Sequence, residues 1–194
     1  MEPNHRNRRW PHLRRFDYRS PGAYFVTICT FRRQNLWGQV ADGKVELSRA
    51  GEVADHSWRE IPRHFPHVRL DSYIVMPDHV HGLLLVRSRL LQNVGTTHVQ
   101  NVGTTHASSL QGRSARPRGP SSGSLASIIG SYKSAVTRRL HRAGNGSPDR
   151  IWQSGFYERV VRNSEELATL REYITTNPLR WALKLRTKLE GLNE

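Results

Sequence analysis

Two histidines, His79 and His81, stand one residue apart in the apolar run IVMPDHVHGLLLV, residues 74–86. A strand turns residues i and i+2 to one face. Both imidazoles then project side by side, with Val80 turned away. Burying a titratable ring costs free energy unless something binds it. The spacing admits two readings. The rings grip one divalent ion, with a third ligand from elsewhere, or they form a hydrogen-bonded pair at a sheet edge. In a distant segment Tyr173 and Asn177 are four residues apart, neighbours on one helical face, and Glu166 and Leu170 continue the stripe. An amide oxygen is an acceptable ligand for Mg²⁺ or Mn²⁺, and a tyrosine one turn earlier would hang beside such an ion. Each residue also has a structural reading. Asn before Pro commonly ends a helix, and a Tyr on an amphipathic helix is usually core or rim.

Positioning these groups requires a sheet and a helix packed on it. GAYFVTICTF (22–31) is β-branched and aromatic after a Pro-Gly turn and predicts a strand covered on both faces, with Cys29 buried in it. Val53, Trp58 and Ile61 recur at helical spacing after Ser48, predicting one helix between Ser48 and Phe65. VRLDSYIVM (68–76) and HVHGLLLV read as the strands of a hairpin broken at Pro77-Asp78. A helix over 124–142 carries the stripe Leu125, Ile128, Ile129, Tyr132 and Val136 with a basic flank. WQSGFYERVVR (152–162) has strand character. Asn163 or Ser164 then caps a last helix that Asn177-Pro178 should terminate, followed by a short helical tail. The order strand, helix, strand, strand, helix, strand, helix predicts an α+β fold, a mainly antiparallel sheet with helices packed on it, close to a ferredoxin-like or RNA-recognition-type layout.

The whole chain, 1–194, reads as one domain with a basic arm at 1–20 and a low-complexity insertion at 88–123. The arm holds six arginines between Trp10, Phe16 and Tyr18. The insertion contains a tandem octapeptide, QNVGTTHV then QNVGTTHA (92–107), followed by a stretch rich in Ser, Gly, Pro and Arg. Such composition cannot bury a core. His98 and His106 recur once per copy, which fits a duplicated loop better than a metal site. Thirty Lys and Arg against 16 acids give +14, favouring a polyanionic partner, nucleic acid first and an anionic membrane second. No apolar run approaches the ~20 residues of a spanning helix, and the basic start lacks the apolar core of a secretory signal. A single cysteine rules out an internal disulfide framework and suits a reducing cytoplasm.

MPDHVHGLLLV resembles the histidine–hydrophobic–histidine motif of the HUH endonucleases. SPGAYFVTICT, WQSGFYERVVRN and LREYITTNPLRWAL resemble blocks of the single-tyrosine transposases of small bacterial insertion sequences, above all their REP-associated branch. The four blocks stand in the family's order and span most of the chain outside the insertion. The resemblance implies an HUH fold in which His79 and His81 bind a divalent metal, Mg²⁺ or Mn²⁺. Asn177 would be the third ligand, where the family often has Gln, and Tyr173 the nucleophile. It implies cleavage and rejoining of single-stranded DNA carrying REP-like hairpins, through a covalent 5′-phosphotyrosine, by a monomer or a homodimer. Candidate DNA contacts are then Arg8, Arg9, Arg14 and Arg15 in the arm, Lys133, Arg138 and Arg139 on the basic flank, and Arg159 and Arg162, with Trp10 or Trp152 to stack on bases. Tyr157 is the rival nucleophile, in a predicted strand with no ligand one turn away. Two other readings stand beside this one: a noncatalytic hairpin-binding regulator on the same scaffold, and an HUH nickase of relaxase or replication-initiator type.

Overall fold

The computed structural model describes residues 20–87, 123–144 and 148–190. The arm, with Arg8, Arg9, Trp10, Arg14 and Arg15, lies outside the described residues, as do the QNVGTTH repeats. The elements are β1 (Gly22–Cys29), β2 (Gly38–Ala41), β3 (Lys44–Leu47), α1 (Arg49–Arg59), α2 (Ile61–His64), β4 (Val68–Met76), β5 (His79–Val86), α3 (Leu125–Arg142), β6 (Tyr157–Val161) and α4 (Ser164–Glu190).

Four strands form one sheet in the order β4-β5-β1-β6, every neighbouring pair antiparallel. With β2 and β3 set aside, the path β1, α1, β4, β5, α3, β6 is the ferredoxin-like arrangement that the element order predicted. Alternation along the strands divides the core in two. Tyr24, Val26 and Ile28 of β1 and Val80 and Leu84 of β5 face α1 and α3, in the larger cluster with Trp58, Ile128, Ile129 and Tyr132. Phe25 and Leu83 face the other way, against Leu170 and Ile174 of α4. Gly82 belongs to the first face for a steric reason: a Cβ there would lie 2.1 Å from Cζ2 of Trp58. The indole of Trp58, fully buried, occupies the space a side chain would need.

Local sequence explains the element ends. Ser48 caps α1 by accepting the Gly51 N–H at 3.1 Å, and Ser124 caps α3 by accepting the Ser127 N–H at 3.3 Å. Asn163 accepts the Glu166 N–H at 2.8 Å at the start of α4. Asp42 and Gly43, with φ of 49° and 70°, turn β2 into β3.

Four expectations are corrected, and one element is new. The β2–β3 hairpin was not anticipated. The helix expected over 48–65 is two, with Pro62 starting the short α2 after a break at Glu60. Strand pairing in the 152–162 segment begins only at Tyr157, apart from an isolated bridge between Thr30 and Trp152. Cys29 is partly exposed, not buried. Lastly, α4 does not stop at Asn177-Pro178 but runs on through Pro178 to Glu190. A proline inside a helix costs about 3 kcal/mol through its missing N–H and its ring clash. Burial of Ile174 and Asn177, 2 % and 6 % exposed, holds this turn in place.

Candidate active site

β5 presents His79, His81 and Leu83 to the α4 side of the sheet. Register supplies their neighbours: Cys29 and Met76 flank His79, and Thr27 and Ile74 flank His81. The two Nε2 atoms are 2.9 Å apart. The other nitrogen of each ring is engaged: Nδ1 of His79 lies 2.5 Å from Oδ1 of Asp78, and Nδ1 of His81 lies 2.8 Å from the Thr27 hydroxyl. When both Nδ1 atoms donate, two Nε2 lone pairs face one another, an arrangement that a cation between them would stabilise; when the Thr27 hydroxyl donates to Nδ1 of His81, Nε2 of His81 donates to Nε2 of His79 instead. Such outer hydrogen bonds are those that orient histidine ligands on a metal. Two ligand atoms about 2.1 Å from an octahedral ion and at right angles are about 3 Å apart. The donor set therefore fits a divalent ion with little movement. Burial first, then the neighbouring His79 and Arg33 charges, push the His81 imidazole down to about 2. Both effects favour the neutral imidazole.

Asp78 is itself fixed. Its carbonyl accepts both the Thr30 N–H and the Thr30 hydroxyl at 2.9 Å, and its Oδ2 lies 3.0 Å from Nε of Arg33. Arg33 and Arg32 sit at φ 57° and 54°, a left-handed conformation costing non-glycine residues about 1–2 kcal/mol each. The strained turn directs Arg33 onto Asp78 and, through Nη1, onto the Cys29 sulfur at 2.9 Å.

The facing wall is α4. The Tyr173 ring lies edge-on to His81 at 5.2 Å and to Phe25 at 6.1 Å, with its oxygen 3.4 Å from Nε2 of His81. Eight residues later the Trp181 ring lies 5.9 Å from His79. Asn177, midway between them along α4 and on the same helical face, is 6 % exposed. Among the described residues no three His, Cys, Asp or Glu side chains gather as a metal cluster, so a third protein ligand would be of another type. Tyr157 stands on the same sheet face, opposite Thr27, in the cluster under α4.

The remaining candidates separate. Lys133 donates to the carbonyls of Gln153 and Gly155 at 2.8 and 3.0 Å, and burial lowers its pKa. Arg139 binds the Glu60 carboxylate and donates to Ser57 at 2.6 Å. Both brace α3 rather than offering a free charge. Trp152 is 7 % exposed, with its N–H on the Lys133 carbonyl at 3.1 Å and its ring 4.9 Å from that of Trp37. It is core, and the expectation that it stacks on bases is withdrawn. Arg159 pairs with Glu166 at 2.5 Å. Arg138 and Arg162 are exposed. Sequence reasoning missed Asp78, Thr27, Arg33 and Trp181. An acid directly before a His-x-His pair was a readable signal, whereas Thr27 depends on strand register.

No protein-family model matches the chain. An uncharacterized protein of Haemophilus influenzae is 30% identical over 176 residues, covering 90% of each chain. The chain belongs to that protein's family. Among solved structures, a REP-associated tyrosine transposase bound to a REP hairpin aligns with a TM-score of 0.52 at 18% identity, over 82% of this chain and 68% of that one. A putative transposase from Deinococcus radiodurans aligns with a TM-score of 0.44 at 16% identity, over 80% and 89%. The fold of this family member is thus that of a REP-associated tyrosine transposase, as the four sequence blocks led one to expect. Among the described residues no helix is long and apolar enough to cross a membrane.

Proposed function

We propose that the protein is a metal-dependent single-tyrosine transposase that nicks and rejoins single-stranded, hairpin-bearing DNA. The observation that carries the reading is the meeting of β5 and α4, which sets the Tyr173 oxygen 3.4 Å from an imidazole of a facing pair whose outer nitrogens are already committed. The solved transposase with a REP hairpin adds the class of DNA. His79, His81 and Asn177 would hold Mg²⁺ or Mn²⁺, which when bound would neutralise charge on the scissile phosphate.

The chain's own residues do the rest. Thr27 and Asp78 fix the two imidazoles, and Phe25 and His81 fix the Tyr173 ring so that its oxygen points at the same place. Tyr173 attacks the phosphorus in line. A phosphorus–tyrosine bond forms and the bond to the 3′ oxygen breaks, leaving a 5′-phosphotyrosine and a free 3′-hydroxyl. The proton given up by the Tyr173 hydroxyl is balanced by the one that the departing 3′ oxygen takes up. The phosphotyrosine keeps the energy of the bond, and a second 3′-hydroxyl reverses the step onto a new strand.

Labelled hairpin DNA with a single-stranded flank and Mn²⁺ tests this. The expected product is a covalent protein–DNA adduct, lost with EDTA and in the His79→Ala and Tyr173→Phe variants. An adduct that survives Tyr173→Phe and disappears with Tyr157→Phe would move the nucleophile. Tight hairpin binding with no cleavage by the native protein would make it a binder instead.

A further inference from the structure

Among the arginines near the site, Arg33 is tied to Asp78, Arg159 to Glu166 and Arg171 to Asp71. Arg180 is not paired in this way. It is exposed, and among the described residues it has no carboxylate partner. Its guanidinium carbon lies 5.7 Å from the centre of the Tyr173 ring.

Helix geometry explains the placement. Side chains of a helix lean towards its N-terminus. Arg180, three residues past Asn177 and seven past Tyr173, therefore reaches back along the same face and covers the tyrosine. The uninterrupted passage of α4 through Pro178 makes this possible, since a helix ending at Asn177 would leave Arg180 without a fixed direction.

We propose that Arg180 binds the phosphate that Tyr173 attacks, a role that rests on the reading of Tyr173 as nucleophile. A phosphodiester brought to the Tyr173 oxygen comes within reach of the guanidinium. An exposed cation–ring contact is weaker than a charge-assisted, two-pronged bond to phosphate, so the guanidinium exchanges the ring for the anion. Its positive charge then lies beside the oxygens that gain charge in the transition state. Arg180 has no acid to leave when DNA arrives, unlike its paired neighbours. The ligand class is the backbone of single-stranded DNA at the point of cleavage, with no reading of base identity.

Two measurements test this. In the full-length native protein with Mn²⁺ and flanked hairpin DNA, Arg180→Gln should slow adduct formation by about tenfold or more. Arg180→Lys should restore part of the rate by returning charge without the planar fork. Separately, in a metal-free Tyr173→Phe background, Arg180→Gln should reduce the slope of log affinity against log salt by about 0.7, the signature of one lost single-strand phosphate contact. An unchanged salt slope overturns the proposal whatever the cleavage rate. An absent adduct in the native protein overturns the nicking reading instead, and the slope alone then decides the phosphate contact.

Discussion

Asp78→Asn isolates the contribution of one oxygen pair to the proposed metal site. The Asp78 carboxylate lies 2.5 Å from Nδ1 of His79 on one side and 3.0 Å from Nε of Arg33 on the other. Both neighbours are donors. An asparagine has one acceptor oxygen and must turn its NH₂ to one of them, so either Arg33 faces a donor or His79 must move its proton from Nδ1 to Nε2. The loop should survive, because the Asp78 carbonyl, not its side chain, holds the Thr30 N–H and hydroxyl. The consequence falls on His79: its tautomer is no longer enforced by a carboxylate, and its Nε2 becomes a poorer ligand. Loss of such an outer-shell partner typically weakens metal binding by about 10–100-fold, or about 1.4–2.7 kcal/mol. Isothermal titration with MnCl₂ measures it, with circular dichroism confirming that the variant is folded. Asp78→Ala should weaken binding at least as much. A folded Asp78→Asn protein with unchanged Mn²⁺ affinity would refute the claim that Asp78 orients a ligand.

Two further outcomes concern the scaffold. The Arg171 guanidinium holds the Asp71 carboxyl down to about 2 from 3.8, tying α4 to β4. A carboxylate whose folded pKa is depressed stabilises above its unfolded value and loses that contribution as pH falls towards the folded one. The shift corresponds to about 2 kcal/mol, and because Arg171 is 48 % exposed solvent screening reduces it to about 1 kcal/mol. Urea melts of Asp71→Asn should show that deficit at pH 7, closing between pH 4 and 2; a deficit of equal size at both ends would mean that the ion pair is not its source. Gly82→Ala drives a Cβ to within 2.1 Å of the Trp58 ring. That ring is fully buried, so thermal unfolding should move down by about 5 °C or more, and a variant melting like the native protein would show that the ring can shift.

How much could be read from the sequence depended on whether the deciding contact was local. The His-x-His strand, its hairpin partner and the α3 stripe were legible because period-2 and period-3.6 patterns survive in the residues themselves. So was the Tyr173–Asn177 face. The β2–β3 hairpin was missed, although Asp42-Gly43 between Val40 and Val45 is the dipeptide that a two-residue hairpin turn demands. The end of α4 was misread because a local rule about proline lost to burial of Ile174 and Asn177, which no short window shows. Trp152 and Lys133 looked like DNA-facing residues on composition alone. Only the fold shows that they hold each other and the 153–155 segment.

The same sheet explains why a duplication can sit inside a chain whose proposed chemistry depends on ångström-scale placement. β5 carries the histidines at its start and ends at Val86, roughly 23 Å further on at about 3.3 Å per residue. There the carbonyl of His67 accepts the Arg87 N–H at 2.8 Å, and the His67 ring lies 3.4 Å from the Gly123 carbonyl. One buried residue thus fastens both the departure and the return of the 88–122 segment, at the end of the sheet remote from His79 and Tyr173. Lengthening a segment closed in this way costs only slowly growing loop entropy, about 0.6 kcal/mol per doubling. The end that carries the candidate site is held by other means: the strained Arg32-Arg33 turn, the Thr30–Asp78 bonds and the α4 face. Repeats could accumulate at one end of β5 without displacing the two imidazoles at the other.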